Sequence, residues 1–237
     1  MNPIAKKLVQ SAVAAFLLAS AIGPAIAQEN KMVQFHMALL RKGPQWNSTR
    51  EAERNTILKQ HVENVIELLN TAKAVIAGPL ADDGDLAGIF ILRAASAAEA
   101  KSWVDADPAV KAGLMVGEMH PWWSEDIFKK AVMPLKMNIV YLGFLKKGPN
   151  RKEGDSKTPE VQALQKAHID NINRLAETKK LVVAGPFGDD GELRGIFVFR
   201  VASLKDAQEL AATDPMIKID RLRLELHPWN VPEGVIP

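Results

Sequence analysis

The 237-residue chain has no cysteine, a single tyrosine and only 6% aromatic residues. Without cysteine there can be no disulfide, no thiolate nucleophile and no thiolate metal site. A Gly-x-Ser-x-Gly elbow, a glycine-rich phosphate loop and a dinucleotide fingerprint are also missing, which removes the commonest hydrolase, kinase and dehydrogenase signatures. After the first 27 residues no apolar run reaches the roughly 20 residues that a membrane-spanning helix needs. Excess charge is lacking too. Once Lys6 and Lys7 are set aside, the remaining Lys and Arg balance the 28 acidic residues. A chain without a basic footprint is not expected to bind nucleic acid or an anionic membrane surface.

What is present at the start is a leader. Lys6 and Lys7 give a positive beginning, Leu8 to Ile22 is apolar or small, and Ala25-Ile26-Ala27 is a small-x-small cleavage site before Gln28. This pattern predicts a secretory signal peptide over 1–27 and a periplasmic or secreted protein, free of the membrane once the signal is removed. The remaining chain of about 210 residues suits two domains of about 100 each. They are expected at 28–126 and 137–237, with a linker at 127–136 around the Met133-Pro134 step. With no disulfide to help, each must be held by its core.

The rest of the chain says the same thing twice. His61 to Trp122 aligns without a gap on His168 to Trp229. The shared signposts are His61-x-x-Asn64 with His168-x-x-Asn171, Ala77-Gly78-Pro79 with Ala184-Gly185-Pro186, and Asp82-Asp83-Gly84 with Asp189-Asp190-Gly191. They continue with Gly88-Ile89-Phe90 and Gly195-Ile196-Phe197, then Asp107-Pro108 and Asp214-Pro215. The series ends with Glu118-x-His120-Pro121-Trp122 and Glu225-x-His227-Pro228-Trp229. A residue kept in both copies has resisted the drift that changed its neighbours.

Each copy reads as strand, helix, strand, strand, helix, strand. In the first, Met32 to Leu40 is an apolar run of strand length, broken by Gly43-Pro44. Ser48 or Thr49 is placed to cap the next helix, whose Ile57, His61, Val65, Leu68 and Leu69 share one face. Ala74 to Ala77 and Ile89 to Ala95 are strands joined by a turn at Asp82-Asp83-Gly84, where Asp-Gly would supply positive φ. Ser96 caps a second helix, with Glu99 at the capping-box position. Asp107-Pro108 stops it, because the residue before proline leaves helical geometry. Leu114 to His120 is the last strand. The second copy repeats this with strands at Met137–Leu145, Leu181–Ala184, Ile196–Val201 and Arg221–His227. Its helices fall at about Pro159–Thr178, capped by Thr158, and Leu204–Thr213. A βαββαβ unit makes a four-stranded antiparallel sheet with both helices on one face. Stacking the two bare faces would turn the chain into a covalent pseudo-dimer with a cleft or barrel between its sheets, and the aromatic pair Trp122-Trp123, with Trp229, would pack across the interface.

The stretch from Glu99 to Leu114, a helix ending in Asp107-Pro108 and followed by Gly113-Leu114, resembles the YciI-like family of dimeric α+β barrel proteins. So does the His61 helix followed by Gly78-Pro79. The resemblance covers nearly the whole chain after the leader, twice. It implies an α+β fold of two tandem ferredoxin-like domains, packed sheet to sheet as an intrachain dimeric α+β barrel. It also implies a His–Asp site in a sheet-to-sheet cleft, formed by His61 with Asp107 and by His168 with Asp214. The chain departs from the family where an aromatic residue usually follows Asp-Pro, having Ala109 and Met216 instead. It also lacks the arginine often found before the helix histidine, and has Ile219-Asp220 where the first copy keeps Ala112-Gly113.

Read from the residues themselves, His61 and His168 are candidate general bases, since imidazole titrates near neutrality and a carboxylate can orient it. Packing on the sheet is the alternative role, as turn-capping is for Asp107 and Asp214. Asn64 and Asn171 lie on the same helical side as those histidines and could meet a substrate oxygen or fix the histidine. Period two puts Glu118 with His120, and Arg221, Arg223, Glu225 and His227, on one face of each last strand. That face could line a cleft, with the arginines drawing in an anion, or simply be solvated. A two-residue Glu–His set falls short of the three or four ligands of a metal site, so no metal or other cofactor is expected. Asp82-Asp83-Gly84 and Asp189-Asp190-Gly191 read as turns.

These features point to an exported, cofactor-free acid–base enzyme, a hydrolase, lyase or isomerase acting on a small molecule. The alternative is a periplasmic small-molecule-binding or accessory protein without catalysis. Fusing two halves in one chain suits a monomer, although further pairing into a homo-oligomer is compatible with the same sequence.

Overall fold

Apolar runs set the strands, although the third strand of each copy begins and ends earlier than its run and the first, second and last strands run on past theirs. In the computed structural model, which describes residues 31–152 and 154–237, β1 spans Met32–Lys42. It is followed by α1 (Glu51–Asn70), β2 (Ala74–Pro79), β3 (Leu86–Leu92), α2 (Ala97–Asp105), a one-turn α3 (Pro108–Lys111) and β4 (Met115–Glu125). The second copy gives β5 (Met137–Lys147), a short 3-10 turn (Asp155–Lys157), α4 (Pro159–Glu177), β6 (Leu181–Pro186), β7 (Leu193–Phe199), α5 (Leu204–Ala211), α6 (Pro215–Lys218) and β8 (Leu222–Pro232). The expected leader and its cleavage site lie outside the described residues. Among the described residues no helix is long and apolar enough to cross a membrane.

Both sheets are antiparallel and have the same strand order, β2-β3-β1-β4 and β6-β7-β5-β8. This is the order of a ferredoxin-like βαββαβ unit. Residues opposite each other in a ladder share a face, so the pairings separate the two sides of the sheet. Ala38, Phe90 and Met119 lie on the side covered by helices, where Val104 of α2 fills the space over Gly117. Leu39, Ile89 and Glu118 lie on the other side, with Met37, Ile91 and His120, and then Phe35 and Trp122. The second sheet repeats this arrangement with Phe144 and Glu225, Leu142 and His227, Val140 and Trp229.

The two sheets meet edge to edge as well as face to face. β2 runs beside β8 and β4 beside β6, with antiparallel bridges at Leu80–Trp229 and Trp122–Phe187. The backbone of Ala81 donates to the Pro228 carbonyl (2.8 Å) and that of Gly188 to the Pro121 carbonyl (2.7 Å). The expected packing of the tryptophans across the repeats is seen. Trp122 Nε1 donates to the Gly185 carbonyl and Trp229 Nε1 to the Gly78 carbonyl, each at 3.1 Å, and both indoles are fully buried. A buried indole needs a partner for its one N–H, and here that partner comes from the other half. Gly78 and Gly185 must be glycine, because a Cβ would lie 1.9 Å from the Asn230 or Trp123 carbonyl oxygen.

The result is an eight-stranded α+β barrel built from one chain. Its interior is packed: Phe35, Met37, Leu39, Ile89, Ile91, Leu142, Phe144, Ile196 and Val198 belong to one continuous buried cluster. Phe128, from the segment between the halves, packs on Phe35 and Trp122, and Val235 and Ile236 at the C-terminus are buried in the same cluster.

Three local expectations are corrected. The cap of α1 is Arg50, with no side-chain cap bond, because the hydroxyls of Ser48 and Thr49 are spent on Gln45. Gly84 and Gly191 do not have positive φ. Their turns are closed by Asp82 and Asp189 side chains accepting from the glycine amides. The last strand runs on past His120 to Glu125 and so includes Trp122-Trp123. Ser96 and Thr158 do cap as their spacing predicts, while Glu99 accepts the amide of Ala95 rather than that of Ser96.

Candidate functional site

The pairing expected from the two copies is present in both. Asp107 is the N-cap of α3, its carboxylate accepting the Ala109 amide at 2.9 Å, and Pro108 holds the first helical position. This fixes the carboxylate under α1. His61 Nδ1 lies 2.8 Å from Asp107 Oδ2, and Asn64 Nδ2 donates to the same oxygen at 2.8 Å. Asp107 has no solvent exposure, while the His61 side chain keeps 14% of its surface. Burial by itself would raise the Asp107 pKa. The hydrogen bond and charge of His61, with the Asn64 and Ala109 donors, outweigh it and hold the carboxyl below its usual range. An ionised Asp accepts only, so Nδ1 carries the hydrogen, and in the neutral ring Nε2 carries the lone pair. Among the described residues Nε2 of His61 has no hydrogen-bond partner.

The second copy is similar but tighter. His168 Nδ1 lies 2.6 Å from Asp214 Oδ2, and Asp214 caps α6 through the amides of Met216 and Ile217. His168 is buried and Asp214 fully so. Asn171 does not reach the carboxylate. Its Oδ1 accepts from Arg174 (2.7 Å) and the Thr213 hydroxyl (3.1 Å), which turns the amide and leaves Nδ2 buried without a partner. The first copy has Glu67 and Ala106 at those two places, so nothing competes for Asn64.

Both pairs lie on the helix-covered side of their sheets, not in a cleft between the sheets. The imidazole of His61 stacks on Phe90 (5.9 Å between ring centres, 14° between planes) and that of His168 on Phe197. The barrel interior is filled instead by the apolar side chains of the opposite faces. That placement corrects the cleft implied by the family resemblance.

Glu118 and His120 face the inter-sheet side at a seam, as do Glu225 and His227, but neither pair faces an open cleft. His120 Nε2 meets Glu118 (3.0 Å) while its Nδ1 meets Asp189 of the other half (2.8 Å). His227 Nε2 meets Glu225 (2.9 Å) and its Nδ1 meets Asp82 (2.6 Å). Burial would raise the two glutamates, but hydrogen bonds from Arg41 and His120, and from Lys146 and His227, lower them. Each imidazole nitrogen is matched to a different carboxylate on opposite sides of the ring, so the set cannot converge on one ion. Among the described residues no group of three such ligands is assembled. The turn residues Asp82 and Asp189 are therefore members of these clusters, which their reading as plain turns missed. The only hint in the sequence is that the acidic turn recurs in both copies.

Arg221 and Arg223 do not form an anion-binding face. Asp220 has φ 54°, which breaks the strand parity, and β8 starts only at Leu222. Arg221 is buried in a bidentate pair with Asp155. Arg223 is exposed beside a concavity of about 440 Å³ lined by Leu204, Gln208, Ile217, Leu222, Leu224 and Leu226. Leu224 and Leu226, on the opposite face of β8 from Glu225, are only partly buried and form its wall.

The sequence profile described as the YCII-related domain matches residues 27–122 and again 141–230. No curated protein matches the chain by sequence. Among solved structures, a chlorite dismutase variant from Candidatus Nitrospira defluvii superposes with a TM-score of 0.55 at 13% identity, covering 86% of this chain and 92% of that one. A second variant from that organism, in complex with cyanide, gives 0.54 at 14% identity and covers 85% and 92%. A heme-binding protein from Thermus thermophilus gives 0.49 at 15% identity, covering 88% and 95%. At these identities the likeness is one of fold.

Proposed function

The chain belongs to the YCII-related domain family, and on that premise we propose that its first half is a cofactor-free acid–base enzyme acting on a small molecule. The observation that supports this most is the state of His61. A fully buried, ionised Asp107 takes its Nδ1 hydrogen, Asn64 and the Ala109 amide hold that carboxylate in place, and Nε2 is left without a partner. A base so oriented can accept a proton at Nε2 while Asp107 stabilises the imidazolium, a contribution of about 10²–10⁴-fold in rate. The proton can then return to a different atom of the substrate, which is isomerisation, or go to a leaving group, which is elimination. Where water is the proton source, the reaction is hydrolysis. Asn64 acts as a positioning residue here, because its amide is committed to Asp107. His168 with Asp214 is the weaker site, being more buried and without the matching asparagine bond.

The leader at 1–27 directs the protein out of the cytoplasm, and sequencing of the processed protein should begin at Gln28. The second reading, a binding protein without turnover, is favoured by the concavity at Arg223, which lies apart from both histidine–aspartate pairs. The test is a panel of small esters, lactones and carbonyl acids, followed by NMR in D₂O for turnover and for exchange at carbon. Turnover or exchange by the native protein, lost in His61→Gln and kept in His168→Gln, supports the enzyme. Binding without turnover or exchange, unchanged in His61→Gln, supports the second reading and ends the first.

A further inference from the structure

The two seams of the barrel carry the same four-membered chain of charged groups, related by the internal repeat. At one seam it runs Arg41, Glu118, His120, Asp189; at the other, Lys146, Glu225, His227, Asp82. In each, three members come from one half and the aspartate from the other. Arg41 and Lys146 occupy equivalent places in β1 and β5, opposite Val116 and Arg223. Cross-seam contact is therefore made twice, by residues far apart in the chain. The imidazoles are mostly shielded, with 12% and 13% of their side-chain surface exposed, and they lie against Phe187 and Phe144.

A neutral imidazole has one N–H and one lone pair. Here both nitrogens face carboxylate oxygens at 2.6–3.0 Å. Only the doubly protonated ring can donate to both. Without the second proton, one lone pair faces a carboxylate and one of the two contacts must lengthen. The contact within β4 or β8 joins residues of a single rigid strand, so the cross-seam contact to the aspartate loop is the one free to give way. We propose that His120 and His227 are proton-operated staples, closing the two seams when the imidazoles are charged and loosening them when they are neutral. This goes beyond the proposed chemistry at His61 and does not depend on it.

The other charges nearby act in a defined direction. At the first seam Arg41 also approaches Asp85 (3.9 Å), and Arg194 holds the Asp189 backbone and the Asp190 carboxylate. Lys147 donates to the Asp190 carbonyl. At the second, Lys146 is the one lysine or arginine bonded to Glu225 among the described residues. Arg41 and Lys146 help to hold the Glu118 and Glu225 carboxyls below their usual range, so the proton that controls each seam is the one on the histidine. Adding one proton to each imidazole tightens its seam. Far lower pH, where the carboxylates themselves take protons, undoes it.

Amide hydrogen exchange reads each seam separately. The Gly188 amide crosses the first seam to Pro121 and the Ala81 amide crosses the second to Pro228. In the native chain their protection factors should fall about tenfold between pH 6 and pH 8.5, the order of one hydrogen bond to a charged group. The Leu39–Ile89 ladder within β1 and β3 should not follow. His120→Gln should abolish the pH dependence at Gly188 and leave it at Ala81, and His227→Gln should do the reverse. Each single variant thus keeps one native seam as its own control, even if the double variant fails to fold. Seam protection that does not vary with pH in the native chain, or varies equally in both single variants, would overturn the proposal.

Discussion

Replacing Asp107 with asparagine removes a charge and almost no volume. The cap of α3 should survive, since asparagine and aspartate cap about equally well and the Ala109 amide still finds an oxygen. What is lost is charge assistance in two buried bonds, from His61 and from Asn64. One of the two new amide's faces also turns an N–H toward a donor. Bonds to charged groups contribute about 1.5–3 kcal/mol, and leaving a buried partner uncompensated costs more. Asp107→Asn should therefore cost about 2–4 kcal/mol at pH 7, measured as a lower urea midpoint with an unchanged m value. The sign of the pH dependence follows from the depressed carboxyl. The folded state holds its Asp107 proton less tightly than the unfolded chain, so the native residue stabilises above the unfolded carboxyl pKa. That benefit is lost as pH falls through the lower folded pKa. The gap between native and variant should thus be widest near neutrality and close in acid. A cost below about 1 kcal/mol at pH 7, or a gap that stays constant into acid, would refute the buried ionised carboxylate.

Three other perturbations follow from the same structure. Burial lowers the His36 pKa and the Glu99 charge only partly opposes it, so folding disfavours its protonated form. As pH falls below the unfolded value of about 6.5, that site costs stability, and His36→Tyr, which copies Tyr141 of the second half, should reduce acid sensitivity in thermal melts. Gly185→Ala and Gly78→Ala each drive a Cβ into a backbone oxygen across a seam and should each lose at least about 2 kcal/mol in the same denaturation assay. Arg174→Glu combined with Thr213→Ala gives the second half the residues of the first. The Asn171 amide should swing to Asp214 in a crystal structure, with a gain of about 1 kcal/mol.

The histidine–aspartate pairs were legible because both partners sit in strongly marked local structure. A period of 3.6 places His61 and Asn64 together, Asp-Pro ends one helix and caps the next, and the family resemblance joined each histidine to its aspartate. The seam clusters were not legible. Parity shows that Glu118 and His120 share a face, but not that a turn 69 residues on will supply Asp189, nor that Asp82 reaches His227 across 145. Which turn crosses which edge depends on how the sheets close, a property of the whole barrel. Arg221 failed for a local reason. Parity holds only within one strand, and after the left-handed Asp220 that strand begins one residue too late, at Leu222. The position of the dyads beneath the helices was readable in principle, since His61 is a helix residue on the face with Leu68 and Leu69, which are buried. The implied cleft drew attention to the wrong side of the sheet.

The central claim is that His61 holds its hydrogen on Nδ1 and presents a bare Nε2. Long-range ¹H–¹⁵N correlation on the protein, with the imidazole neutral, reports this directly. The account predicts the Nδ1–H tautomer for His61 in the native chain, shifting toward the Nε2–H form in Asp107→Asn. A native His61 found as the Nε2–H tautomer would leave no base at that position and would contradict the account.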